Sequence, residues 1–145
     1  EDVIVYRAEL SGAAERPDPR TSPASGTAVF RLGEDDVIDY TVDISNLSNI
    51  SAGHIHGPAG VDGSAGVIIA LFSTPPGASP FTGRLAEGSI SASSSLAGVD
   101  FAGLLNLLET GQAYVNIHTN DGVDPPNTGA GDFPGGEIRG QIVRE

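Results

Sequence analysis

The stretch GTAVFRLGEDDVIDYTVDI, residues 26–44, decides the fold class. Over residues 37–44 isoleucine, tyrosine and valine alternate with aspartate and threonine, which is typical of a half-buried strand. Residues 26–32 carry a similar apolar pattern, and the acidic turn beginning with glycine between the two segments favours an antiparallel hairpin. The stretch therefore predicts a domain built from antiparallel strands.

Short strands of the same kind recur along the chain between Gly- and Pro-rich turns. An apolar run at residues 67–72 predicts a central strand. Helical spacing over residues 99–109, with Gly111 as a C-terminal stop, predicts one short helix. Seven or eight strands with one helix predict a single all-β domain, residues 1–145, with sandwich or barrel architecture. The remaining predicted strands are residues 3–10, 52–56, 84–91, 114–118 and 137–143.

Composition excludes several classes of protein. The chain has 145 residues, a net charge of −12 and no cysteine. Its acidity disfavours binding to nucleic acid, because such binding depends on neutralising phosphates. The absence of cysteine excludes disulfide scaffolds, thiolate metal sites and cysteine catalysis. No apolar run approaches the roughly 20 residues that a membrane span needs. The chain begins at Glu1 without methionine, which indicates a processed or trimmed chain. A removed export signal would explain this start and predicts a periplasmic, cell-surface or extracellular protein.

The three histidines of the chain indicate a metal site. His54 and His56 stand two residues apart on a predicted strand, so both side chains project from one face. His118 ends a strand of similar character. If the two strands lie close together, three imidazoles converge, a ligand set that suits copper, zinc or nickel. The alternative is a pair of surface histidines on one strand with the third elsewhere, an arrangement that needs no metal. Metal affinity is predicted to fall near pH 6 as the histidines protonate.

The long irregular segment 119–136 offers further candidates, because loops of this length are often functional. A fourth metal ligand is predicted to be water or an oxygen donor. The side chains considered for it are Asp121, Glu137 and Tyr114. An alternative is a Ca²⁺ site of hard oxygen ligands, although the spacing does not match an EF-hand loop. The carboxylates considered for calcium are Asp121, Asp124 and Asp132.

Several ordered blocks resemble the CHRD domain, named after chordin. They are LSGAAERP (residues 10–17), AGHIHGPAG (52–60), YVNIHT (114–119) and PGGEIRGQ (134–141). The resemblance covers most of the chain, from about Tyr6 to Val143. It implies an exported protein with an immunoglobulin-like β-sandwich similar to copper–zinc superoxide dismutase, an antiparallel Greek-key fold.

The similarity to that enzyme implies roles for individual residues. There a Gly-x-His-x-His strand supplies two copper ligands, matched here by His54 and His56, and a later strand-ending histidine matches His118. Arg139 stands where the enzyme has an arginine that guides its anionic substrate to copper. A fourth, bridging histidine and a histidine-rich zinc loop are both absent from this sequence. The resemblance therefore implies at most one metal ion, held by three histidines.

Three functions follow as hypotheses. The first is an exported copper-binding domain, with zinc as the other possible metal. The second is a superoxide dismutase-like copper redox enzyme, which would use Arg139 to attract an anion but whose net charge opposes that attraction. The third is a non-catalytic extracellular interaction module. The sequence favours the first over an enzymatic role.

Overall fold

The chain forms one antiparallel sheet that curls around an apolar core. The computed structural model describes residues 3–145, so Glu1 and Asp2 lie outside the described part. Within it the sheet order is β5-β4-β7-β8-β1-β2-β3-β6, and β9 pairs with β1. This confirms the predicted all-β class with one short α-helix and is consistent with a sandwich. The strands are β1 (Ile4–Ser11), β2 (Ser25–Leu32), β3 (Ile38–Leu47), β4 (Ile50–His56), β5 (Val67–Ala70), β6 (Phe81–Ile90), β7 (Tyr114–Thr119), β8 (Ile138–Gln141) and β9 (Val143–Arg144).

The predicted hairpin is strands β2 and β3. Their register places Phe30 opposite Tyr40 and Ala28 opposite Val42. Phe30, Ala28 and Val42 are fully buried, while Asp39 on the alternate face of β3 is exposed. The two-residue period of the sequence therefore predicted both the hairpin and the face that enters the core.

The prediction of a central strand at residues 67–72 is wrong, because β5 is an edge strand. The run is apolar for another reason: the segment preceding the helix covers this edge, and the Ala97 amide donates to the Ile68 carbonyl at 2.9 Å. Ile68 and Leu71 are each 2% exposed. The apolar pattern reflects this burial, because Ile68 and Leu71 pack in the main core although strand β5 lies at the sheet edge.

The helix, α1, spans Phe101–Thr110. It starts two residues later than predicted because the Asp100 carboxylate caps it, accepting from the Gly103 amide at 2.8 Å. Gly111 ends it in the left-handed conformation with φ 71°, as predicted. Three leucines of the helix face the core, at positions 104, 107 and 108. Among residues 3–145, no helix has the length and apolar character needed to cross a bilayer.

The predicted strand at residues 137–143 is divided into β8 and β9. The division falls at Ile142, which is fully buried and whose amide donates to the Ala113 carbonyl at 2.9 Å. This bond leaves the sheet ladder and ties the C-terminal segment to the residues just after α1. A locally continuous pattern cannot show such a tertiary hydrogen bond.

Gly140 is expected to be intolerant of substitution, because β8 passes very close to β1 there. An added Cβ would lie 2.7 Å from the Glu9 carbonyl carbon and closer still to its oxygen. Gly140→Ala is expected to cost about 1–3 kcal/mol of unfolding free energy in urea titrations, since backbone must move. Gly135→Ala is the control, because an added Cβ there meets nothing within 4 Å. Equal stability of the two variants would contradict the argument.

Candidate metal centre

Three adjacent strands, β4, β7 and β8, present one polar face. In their register His56 lies opposite Tyr114, and Asn116 lies between His54 on one side and Arg139 on the other. Because paired residues share a face, these side chains project together. The opposite face of the same strands belongs to the apolar core. Its members include Ile55, Val115, Ile117 and Ile138, all fully buried.

The three histidines converge on this face. His54, His56 and His118 each place one ring nitrogen so that all three nitrogens lie within 4.8 Å of one another. The His54 ring centroid lies 5.4 Å from that of His56 and 5.1 Å from that of His118. The structure thus brings together the three side chains that the sequence predicted would meet.

Backbone carbonyls orient two of the rings. Nδ1 of His56 lies 2.9 Å from the Ala65 carbonyl oxygen, and Nδ1 of His118 lies 2.9 Å from that of Pro134. A carbonyl only accepts, so Nδ1 of each ring carries the proton and donates it. The Nε2 atoms are therefore left with free lone pairs. This is the carbonyl-to-histidine support that metal-ligating imidazoles commonly have.

The third ring, that of His54, directs its Nδ1 atom toward His118. His54 Nδ1 lies 3.3 Å from His118 Nε2, which has no proton of its own to donate. This contact is satisfied either by a proton on His54 Nδ1 or by a cation that both nitrogens bind. His56 Nε2 is buried without a hydrogen-bond partner. The candidate ligand atoms are therefore Nδ1 of His54 and Nε2 of both His56 and His118.

Burial keeps the cluster neutral. It lowers the pKa of all three imidazoles. The pKa of His54 falls to about 4, first by burial and then by repulsion from the charged forms of His118 and His56. The expected loss of metal near pH 6 assumed unperturbed histidines. In the folded protein, competition from protons is expected at lower pH.

The side chains considered as a fourth ligand have other partners. Glu137 accepts from Ser22, Thr119 and Gly131, and the Tyr114 hydroxyl donates to the Ala65 carbonyl. Asp121 is exposed and accepts from the Val123 amide. Within residues 3–145, the histidines form the one group of three or more His, Asp or Glu residues suited to a metal. Asp121, Asp124 and Asp132 do not form a second such group.

Glu137 ties the irregular segment 119–136 to the rest of the domain. It is 1% exposed, and its oxygens accept from Thr119 Oγ1 at 2.7 Å, the Gly131 amide at 2.8 Å and Ser22 Oγ at 2.6 Å. The same segment brings the Pro134 carbonyl to His118. Glu137, which the sequence suggested as a metal ligand, therefore acts indirectly: it holds the segment whose Pro134 carbonyl orients His118.

Arg139 lies away from the histidines, behind a tyrosine. Its guanidinium carbon is 3.6 Å from the centre of the Tyr114 ring, and that ring stacks on His56 at 5.0 Å with 8° between planes. Since β7 lies between β4 and β8, Tyr114 separates Arg139 from His56. Arg139 is 1% exposed. Its predicted role toward an anion remains a prediction, and any such anion would lie beyond Tyr114 from the metal ligands.

Glu15 is a buried carboxyl on the same polar face. It is 2% exposed and accepts from the Asn116 amide at 3.3 Å. Burial raises the pKa of Glu15 to about 7, although Asn116 and the charge of Arg139 partly oppose the rise. The sequence offered no sign of this, because the hydrogen-bond partner of Glu15, Asn116, lies 101 positions further along the chain.

Glu15 is expected to make stability depend on pH. Its pKa is about 7 when folded and 4.5 when exposed, so the folded state binds the proton more tightly. The free energy of unfolding should therefore be highest below about pH 4.5 and fall as the pH rises toward 7. Glu15→Gln should remove about 2–3 kcal/mol of this fall, measured by urea unfolding at several pH values. A variant with the same pH profile as the parent would contradict the shift.

The fold and the site together define an all-β domain with a preformed three-histidine cluster on one sheet face. The family model of the CHRD domain matches residues 6–125. The chain belongs to the CHRD domain family. No curated protein and no solved structure matches it.

Two supporting groups escaped the sequence analysis, the carbonyls of Ala65 and Pro134. Every residue carries a carbonyl, so the side chains at these positions give no signal. Their role follows from two loops, residues 57–66 and 119–136, folding back over the polar face. The Gly57 amide, which donates to the Gly66 carbonyl at 3.3 Å, closes the first of these loops.

Proposed function

We propose that this protein binds a single copper ion through His54 Nδ1, His56 Nε2 and His118 Nε2. The observation that carries the proposal is the convergence of one ring nitrogen from each histidine within 4.8 Å, with backbone carbonyls orienting two of the rings. Neutral imidazoles bind copper and zinc, and copper stands above zinc in the affinity order for divalent metals. Because the three imidazoles are neutral in the folded protein, metal binding does not have to displace protons from them.

The ligand set is suited to storage or delivery of the ion. Three protein ligands leave a coordination position open to water or to a donor from a partner. Within the described residues, the ligand group consists of histidines without a carboxylate, so the neutral ligands leave the positive charge of the ion uncompensated. The ion, once bound, would supply a Lewis-acidic and redox-active centre, while the protein supplies rigid, partly buried donors.

We also propose that the protein is exported. CHRD domains occur in extracellular or secreted proteins, and this chain matches the family model over residues 6–125. A net charge of −12 suits such a location, because it keeps the protein soluble and attracts cations toward the histidines. Fractionation of cells that express the full-length gene product tests this directly: recovery with the cytoplasmic proteins would contradict export.

Metal titration of purified metal-free protein tests the copper site. One equivalent of Cu(II) should bind, displace Zn(II) in competition, and give a spin-resonance spectrum with hyperfine splitting from three nitrogens. Binding should also raise the thermal unfolding midpoint, since the metal binds the folded state. If neither Cu(II) nor Zn(II) binds, the proposal is overturned and a non-catalytic interaction module is favoured instead.

A further inference from the structure

The loop of residues 57–66 carries the carbonyl group that orients His56. Nδ1 of His56 lies 2.9 Å from the Ala65 carbonyl oxygen, so the direction of this ring depends on where the loop places Ala65. Ala65 is only half-buried and belongs to no strand or helix. Loop residues of this kind are mobile unless other groups hold them. The orientation of His56 therefore depends on whatever fixes Ala65.

The Tyr114 hydroxyl holds Ala65 by both of its backbone groups. The hydroxyl oxygen accepts from the Ala65 amide at 3.0 Å, and the hydroxyl proton is donated to the Ala65 carbonyl at 3.1 Å. Tyr114 is buried on β7, 49 positions further along the chain, and lies opposite His56 in the register of β4 and β7. A carbonyl oxygen has two lone pairs, so the Ala65 carbonyl can accept from His56 and Tyr114 together.

The ring of Tyr114 also contacts His56 directly. The two rings are stacked, with 5.0 Å between their centroids and 8° between their planes. Offset stacking of this kind is favourable and holds the imidazole plane parallel to the phenol. Tyr114 therefore constrains His56 in two ways: its ring fixes the plane of the imidazole, and its hydroxyl fixes the carbonyl that accepts from Nδ1.

Side chains of β8 hold the beginning of the same loop. Arg139 Nη2 donates to the Gly60 carbonyl at 3.0 Å, and Gln141 Nε2 donates to the Ala59 carbonyl at 2.7 Å. These bonds fix residues 59–60, whereas Ala65 itself is held by the hydroxyl of Tyr114. Removing that hydroxyl should therefore loosen the loop at the residue that contacts His56 and leave its beginning in place.

We propose that Tyr114 is a positioning residue that presents His56 to the metal ion. By holding Ala65, its hydroxyl keeps the proton of His56 on Nδ1 and leaves Nε2 as the free donor atom. Supporting groups of this kind around metal-binding histidines typically contribute about 10–100-fold to metal affinity. The effect on the metal rests on the proposed copper function, whereas the effect on the His56 ring is measurable in metal-free protein.

Tyr114→Phe tests the hydroxyl, because phenylalanine retains the ring that stacks on His56. In metal-free protein labelled with nitrogen-15 histidine, NMR correlations from the ring C–H protons report which nitrogen carries the proton. The parent should show His56 protonated on Nδ1, and Tyr114→Phe should show a larger share of the Nε2-protonated form. The signals of His118, whose Nδ1 faces the Pro134 carbonyl instead, should not change. Calorimetric titration should show Cu(II) affinity about 10–100-fold lower.

Tyr40→Phe is the matched control. The Tyr40 hydroxyl also donates to a backbone carbonyl, that of Leu71, at 2.6 Å in the interior. Its loss should lower the stability of the fold while leaving the His56 signals unchanged and Cu(II) affinity within a few-fold of the parent. The positioning role is refuted if Tyr114→Phe leaves the His56 signals as in the parent, or if Tyr40→Phe shifts them equally. A parent that binds no copper would refute the copper proposal alone, because the metal-free spectra still decide the role of Tyr114.

Discussion

Replacing His118 by alanine is expected to lower Cu(II) affinity by more than about 100-fold, and His54→Ala should do the same. Loss of a supporting group around a ligand typically costs 10–100-fold, so loss of a ligand itself should cost more. His54 Nδ1 and His118 Nε2 also lie 3.3 Å apart, close enough to share one ion. Calorimetric titration of each metal-free variant measures the effect.

The matched control is Asp121→Asn, which removes a charge near the end of β7 without touching the cluster. Asp121 is exposed and lies outside the histidine group, so the affinity of this variant should stay within a few-fold of the parent. Circular dichroism of the metal-free proteins shows whether each histidine variant remains folded. Unchanged affinity in both His54→Ala and His118→Ala would end the copper proposal.

Glu137→Ala is expected to lower the free energy of unfolding by about 3–5 kcal/mol. The substitution leaves Thr119 Oγ1, Ser22 Oγ and the Gly131 amide without the carboxylate they donate to. Glu137 is 1% exposed, so water does not readily replace it. Urea unfolding at neutral pH measures the loss, and faster amide hydrogen exchange over residues 119–136 should accompany it.

Two controls separate the network from charge alone. Glu137→Gln keeps an acceptor and the side-chain volume, so it should cost less than Glu137→Ala. Glu87→Ala removes an exposed carboxylate that pairs with Arg84 and should cost less than about 1 kcal/mol. If Glu137→Ala lowered the free energy of unfolding no more than Glu87→Ala does, the three hydrogen bonds of Glu137 would not be what stabilises residues 119–136.

The elements that sequence reasoning predicted best are those governed by local periodicity. The hairpin of β2 and β3 follows from alternation because a strand repeats every two residues. The end of α1 follows from Gly111, since few other residues adopt the left-handed conformation. Local pattern failed where a distant segment intervened: the loop that covers β5, and the hydrogen bond of Ile142 that divides the last strand.

The candidate site divides along the same line. The His-x-His spacing alone indicates that His54 and His56 share a face, and the sequence also determined the net charge, the absence of thiols and the family. Only the tertiary structure brings His118 beside them, places Tyr114 between His56 and Arg139, and buries Glu15. These relations depend on which strands pair and on which loops fold over them. The pairing of β4 with β7 joins residues about 60 to 70 positions apart, and that information lies in no single stretch of the chain.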